Sequence, residues 1–181
     1  KGIIAIRELT PSQIKLKLDA FSNNNAVSKV TSSKIKAIAG TGRHIGILDL
    51  GVRQSVINSL KSKGCKITVF PAFTNIDEIL EANLDGVLIS SGPGSPQDIP
   101  DIIVNIEKLI GKIPLIGIGL GHQVLGLALG GDICKLKFGH NGSNQPVQNM
   151  LNNKIQTTQQ CHNYVVCKLP KEAVVALILG I

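Results

Sequence analysis

Residues 114–131 read PLIGIGLGHQVLGLALGG. An apolar run opens the stretch, glycines at 117, 119 and 121 interrupt it, and an apolar helical pattern follows until Gly130 and Gly131. The pattern predicts a buried strand, a sharp glycine turn, and a helix from about Leu120 to Leu129. Strand, Gly-x-X-x-Gly, helix is the arrangement that lifts residue X above a sheet at the start of a helix. Free N–H groups and the helix dipole there lower a thiol's pKa and stabilise an oxyanion. In this chain X is Gly119, which has no side chain to activate. As a dinucleotide fingerprint the stretch fails, because a third glycine at the required spacing is missing.

Working outward, HIGILDLG at 44–51 reads as a buried strand ending at Asp49, followed by a helix around Arg53–Lys63 that Gly64 stops. KITVF is the next strand, Asn75 caps a short helix IDEILEAN with Asp77 and Glu78 in its first turn, and DGVLIS is a third strand. The loop SSGPGSPQDIP leads into a helix, DIIVNIEKLIG, closed by Gly111, and PLIGI supplies a fourth strand. Strands separated by helices imply a parallel sheet covered on both faces, with ligands at the carboxyl ends of the strands. The expected fold is therefore α/β: a flavodoxin-like, doubly wound, mostly parallel sheet with a nucleophile-elbow turn.

Beyond the elbow helix, DICKLKFGHNGSNQPVQ, KIQTTQ and NYVVCKL read as shorter strands joined by polar loops, with His140 in a loop, and AVVALILGI as a last apolar strand. Before residue 44 the pattern is weaker. Thr10 is an N-cap with Pro11 at the first helical position, and SNNNAVSKVTSSK reads as a polar linker. The domain organisation expected is a connector over 1–43 from a preceding domain and one domain over 44–181 that is incomplete at its C-terminal end.

Composition narrows the classes. Aromatic residues make up only 3% of the 181, against 43% hydrophobic overall, so the core must be aliphatic. No apolar run reaches the roughly 18 residues of a membrane span, and the N-terminal residues lack the apolar core of a signal peptide, which predicts a cytoplasmic protein with no membrane partner. The four cysteines show no CxxC spacing, so reduced thiols are expected, with no disulfide and no metal site. Of the net charge of +7, residues 1–43 carry eight Lys and Arg against two acids, and the remainder is nearly neutral. Without interleaved aromatics or a binding motif, that distribution argues against nucleic acid.

Taken together, GIGLGHQVLGLALGG, KLKFGHNGSNQPV, LISSGPGSPQDIP and ILDLGVRQSVINSLKSKGC resemble the class I glutamine amidotransferase domain of carbamoyl phosphate synthetase small subunits. The resemblance runs from about 45 to 169, and KGIIAIRELT resembles the connector leading out of that subunit's N-terminal domain. It implies hydrolysis of L-glutamine by an elbow cysteine, release of ammonia to a large synthetase subunit that uses ATP and bicarbonate, and no cofactor in this domain. The product would serve pyrimidine or arginine biosynthesis. By position, Gly92 and Gly94 resemble oxyanion and substrate-backbone contacts, and Leu120 and Gln123 resemble glutamine contacts. His162 and Tyr164 match a Gln-Asn-His-Gly-aromatic run that helps hold glutamine, here QCHNY, with Cys161 and Asn163 departing from it. Gly119 occupies the nucleophile position.

A His-Pro-Glu run that the family uses as base and orienter is missing from these 181 residues. The function the resemblance implies is a glutaminase domain that is either incomplete in these residues or altered at its catalytic positions. Two other readings stay open: a non-catalytic scaffold that docks a synthetase, and an unrelated flavodoxin-like domain binding a nucleotide or flavin.

Overall fold

A computed structural model describes residues 3–21, 25–168 and 177–179. The central sheet has five strands in the order β1-β3-β2-β4-β5: β1 (Lys36–Ile38), β2 (His44–Asp49), β3 (Lys66–Pro71), β4 (Gly86–Ile89) and β5 (Leu115–Gly117). β2 is parallel to β3 and β4, and β4 is parallel to β5, whereas β1 runs antiparallel along β3. The helices are α1 (Pro11–Ala20), α2 (Ala26–Val30), α3 (Gln54–Ser62), α4 (Ile76–Glu81), α5 (Pro100–Glu107) and α6 (Leu120–Ala128). No helix among the described residues is long and apolar enough to cross a membrane.

Alternation along the strands explains why helices cover both faces. Leu48, Phe70, Val87 and Ile89 pack with Ile76 and Ile79 of α4, Ile102 and Ile106 of α5, and Val124 of α6. Their neighbours Ile47, Ile67, Val69 and Leu88 face the other way and pack with Ile57 of α3. This core is almost wholly aliphatic, with Phe70 its one buried aromatic among the described residues.

The start signals act as expected. Thr10 and Gln13 form a reciprocal capping box on α1, and the Asn75 side chain accepts from the Asp77 N–H at the start of α4.

Four expectations need correcting. The stretch read as a polar linker carries α2 and leads into β1, with Val27 2% exposed within the core. It is fixed by hydrogen bonds from a distance: the Ser32 N–H donates to Asp49 Oδ2 (2.9 Å) and the Ala72 N–H to Thr31 Oγ1 (2.8 Å). Next, KIQTTQ and NYVVCKL are one strand, β7 (Ile155–Lys168), paired antiparallel with an 18-residue β6 (Asp132–Asn149). His140 therefore lies in a strand rather than a loop. Finally, Cys134 and Cys167 form a disulfide, their Cα atoms 5.7 Å apart, while Cys65 and Cys161 are free thiols. A register shift between Asp132 and Ile133 makes Cys167 an extra residue on β7, which sets it diagonally beside Cys134. Of the last apolar run only Leu177–Leu179 is described, as β8 beside β6, and the rest of that run lies outside the described residues.

Candidate active site

The elbow takes its shape from glycine. Gly119 sits at φ +57°, ψ −116° as the N-cap of α6, in a region where a side chain meets strain. A Cβ on Gly121 would run into the Ile89 carbonyl, and one on Gly117 into the His122 backbone, so the strand-to-helix contact closes only without side chains there.

Above the elbow lies a cleft of about 480 Å³. It brings together the residues anticipated from the sequence: Gly92, Gly94, Gly119, Leu120, Gln123, His162 and Tyr164 all border it. They converge from the β4 loop, the head of α6 and the middle of β7. Gln123, 8% exposed, donates through Nε2 to the Tyr164 carbonyl (3.0 Å), tying α6 to the hairpin wall. Gly92 lies against the Leu50 carbonyl, where a Cβ would not fit, so this loop too needs glycine to seat its backbone.

At the elbow itself, where Gly119 has no side chain, the cleft offers backbone donors. In the first turn of α6, the Gly121 N–H is taken by the Ser90 and Ile118 carbonyls and the Gln123 N–H by the Gly119 carbonyl. The Leu120 and His122 N–H groups have no acceptor among the described residues, nor do those of Gly92 and Gly94. Unclaimed N–H groups at a helix N-terminus and in a glycine loop favour an oxygen carrying negative charge.

Sequence reasoning missed Arg53 and Ser91, which also border the cleft. Arg53 is the N-cap of α3, immediately past the carboxyl end of β2, and that position was the available signal because ligands gather there in parallel sheets. Cys161 borders the cleft beside His162, and their exposures alternate as neighbours on a strand should, Cys161 exposed and His162 half-buried.

The His122 ring has no hydrogen-bond partner among the described residues. Partial burial pushes its pKa below the ordinary 6.5. The unfolded chain then takes up this proton first, and stability declines as pH falls below about 6.5. In an NMR titration the His122 ring should therefore show a midpoint below 6.5; a midpoint at or above that value contradicts the assignment.

A family model described as Glutamine amidotransferase class-I matches residues 46–178. The chain belongs to this family. The carbamoyl phosphate synthase small chain of Clostridium perfringens is 44% identical over 171 residues, covering 94% of this chain and 49% of that protein. An arginine-specific small chain from Halalkalibacterium halodurans is 43% identical over 81% of this chain and 41% of its own length. A pyrimidine-specific one from Bacillus subtilis is 38% identical over 81% and 40%. The chain thus spans half or less of these relatives.

Among solved structures, a putative GMP synthase component from Thermoplasma acidophilum superposes with a TM-score of 0.64 at 22% identity, over 76% of this chain and 73% of that one. A Thermotoga maritima glutamine amidotransferase gives 0.56 at 20%, over 75% and 66%. These likenesses show the amidotransferase fold, a flavodoxin-like α/β sheet, and membership of this family displaces the reading as an unrelated nucleotide or flavin binder.

Proposed function

We propose that this amidotransferase domain belongs to a carbamoyl phosphate synthase small chain, and that it binds L-glutamine above Gly119 without hydrolysing it while docking a large synthetase subunit. The observation that supports this reading is Gly119 itself. The elbow keeps its backbone shape, its helix N-terminus and its unclaimed N–H groups, yet carries no nucleophile. Glutamine suits the cleft: Arg53 is a cation for its carboxylate, and the Gly92, Gly94 and Leu120 N–H groups are donors for oxygen. The Gln123 carbonyl oxygen is an acceptor for an amino or amide N–H. Amide cleavage through an acyl intermediate needs a protein nucleophile to form it, and the donors alone bind oxygen without breaking the C–N bond.

The proposal extends to the assembly. The domain itself uses no cofactor, ATP is consumed by the large synthetase partner, and the complex works in the cytoplasm on free ammonia. The test is carbamoyl phosphate formation by the protein in complex with its own large synthetase partner, with ATP and bicarbonate. Ammonium should support synthesis and glutamine should not. Synthesis from glutamine at a rate comparable to that from ammonium would overturn the reading.

A further inference from the structure

We infer that His140, His162 and Gln160 form a binding site for a divalent cation that favours imidazole ligands, Zn²⁺ or Ni²⁺, on the β6–β7 wall of the cleft. The register of the hairpin places His140 opposite His162, and a shift between Lys135 and His140 sets that alignment. The His140 Nδ1 atom lies 3.3 Å from His162 Nε2, with the rings edge to face at 82°. Gln160 Oε1 lies 2.8 Å from the same His162 nitrogen.

Hydrogen bonds to neighbouring groups fix which atoms face each other here. The Thr158 hydroxyl donates to the Gln145 carbonyl (2.9 Å), so its oxygen accepts from Gln160 Nε2 (2.8 Å). Gln160 thereby presents its oxygen to His162. The His162 Nδ1 atom, 3.0 Å from the Tyr164 carbonyl, must be the donor there, because a carbonyl only accepts. A neutral imidazole has one N–H, and it is spent on Tyr164. With the ring neutral, the Nε2 lone pair is left to accept from His140 Nδ1 (3.3 Å) while it also faces the lone pair of Gln160 Oε1 (2.8 Å), a contact that a positive centre resolves, either a proton on Nε2 or a cation held between the three side chains.

The spacing fits an ion. Ligands about 2.0–2.1 Å from a metal lie about 2.9 Å apart at right angles and about 3.4 Å apart in a tetrahedron. The observed 2.8 and 3.3 Å sit close to these two values. An imidazole whose second nitrogen donates to a backbone carbonyl is also how metal-ligating histidines are held in one tautomer. Two imidazoles and an amide oxygen, with the remaining positions open to water, suit Zn²⁺ or Ni²⁺ better than Mg²⁺ or Ca²⁺. Spacing in the sequence gave no hint, because the histidines are 22 residues apart. No group of three or more His, Cys, Asp or Glu among the described residues is arranged for a metal, and here the third donor is an amide.

Calorimetric titration of the full 181-residue chain with ZnCl₂, without glutamine, tests the site. One equivalent should bind, His140→Asn should weaken it at least 30-fold, and Gln160→Leu should weaken it several-fold. Cys161→Ser and His44→Asn should change it less than twofold. Imidazole nitrogen spectra of the unmutated protein give a readout that does not depend on a variant folding: zinc should shift His140 Nδ1 and His162 Nε2 and leave His44 and His122 in place. Absence of binding, loss of binding in Cys161→Ser, or shifts confined to other histidines would overturn the assignment. None of these outcomes bears on glutamine, so the site stands or falls apart from the proposed function.

Discussion

Glutamine hydrolysis by the Gly119→Cys variant of this chain stays within about tenfold of the unmutated protein. The new thiol would sit at the head of α6, where the helix dipole and the free Leu120 and His122 N–H groups favour the thiolate. Alkylation by iodoacetamide should therefore proceed readily. Turnover needs more, because a proton must reach the leaving ammonia. In the worked case of another hydrolase, losing either the nucleophile or its base alone costs on the order of a millionfold, about as much as losing the whole set. Restoring one member recovers little. Among the four histidines, His44 bonds Thr68, His140 and His162 face each other, and His122 lies in the first turn of α6 without an acid partner among the described residues. A cysteine side chain at φ +57° also costs about 1–2 kcal/mol, and its Cβ would sit 3.3 Å from Ser91 Cβ, so Tm should fall by a few degrees. A rise in glutamate release of a thousandfold or more would show that a base is in place.

Asp49→Ala is expected to cost about 3–5 kcal/mol of stability, read from denaturant unfolding, because truncation leaves three backbone donors short of a partner. This carboxylate is 6% exposed at the end of β2 and accepts all three of those N–H groups. Ser32 bonds Oδ2 at 2.9 Å, and Gly51 and Val52 bond Oδ1 at 2.9 and 2.8 Å. Bonds to an ionised acceptor contribute roughly 1.5–3 kcal/mol each. Asp49→Asn separates the contributions, since an amide can keep its oxygen on Gly51 and Val52 while turning an NH₂ towards Ser32. The Asn variant should fall between wild type and Ala, with the α2–β1 segment loosened most. Equal losses in the two variants, or a loss in Ala below about 1 kcal/mol, would contradict this assignment of the three bonds.

What the sequence made legible was local in origin. Runs such as HIGILD and GVLI are short, apolar and bracketed by glycine, proline or a cap, so β2 to α6 could be placed from neighbours alone. The elbow was equally readable, because three glycines at alternate positions have few uses other than a tight strand-to-helix turn. What escaped depends on partners far along the chain. The Ala26–Val30 helix has one buried residue and is secured by Asp49 and Ala72, neither visible in its own composition. The Cys134–Cys167 bond and the His140–His162 pair are products of hairpin register, which bulges set. Gly92, Gly94, Gln123 and Tyr164 were named by resemblance, and the fold gathers them at one cleft. Arg53 joined them only once β2 and α3 were in place.

The most direct measurement is equilibrium dialysis of the purified protein against isotopically labelled glutamine, with the label's chemical form determined on both sides after equilibration. A glutamine site without a nucleophile predicts saturable binding of one equivalent that Arg53→Ala and Gln123→Ala weaken, with the label recovered as glutamine. Conversion of bound glutamine to glutamate at an enzymatic rate, or no saturable binding at all, would contradict it.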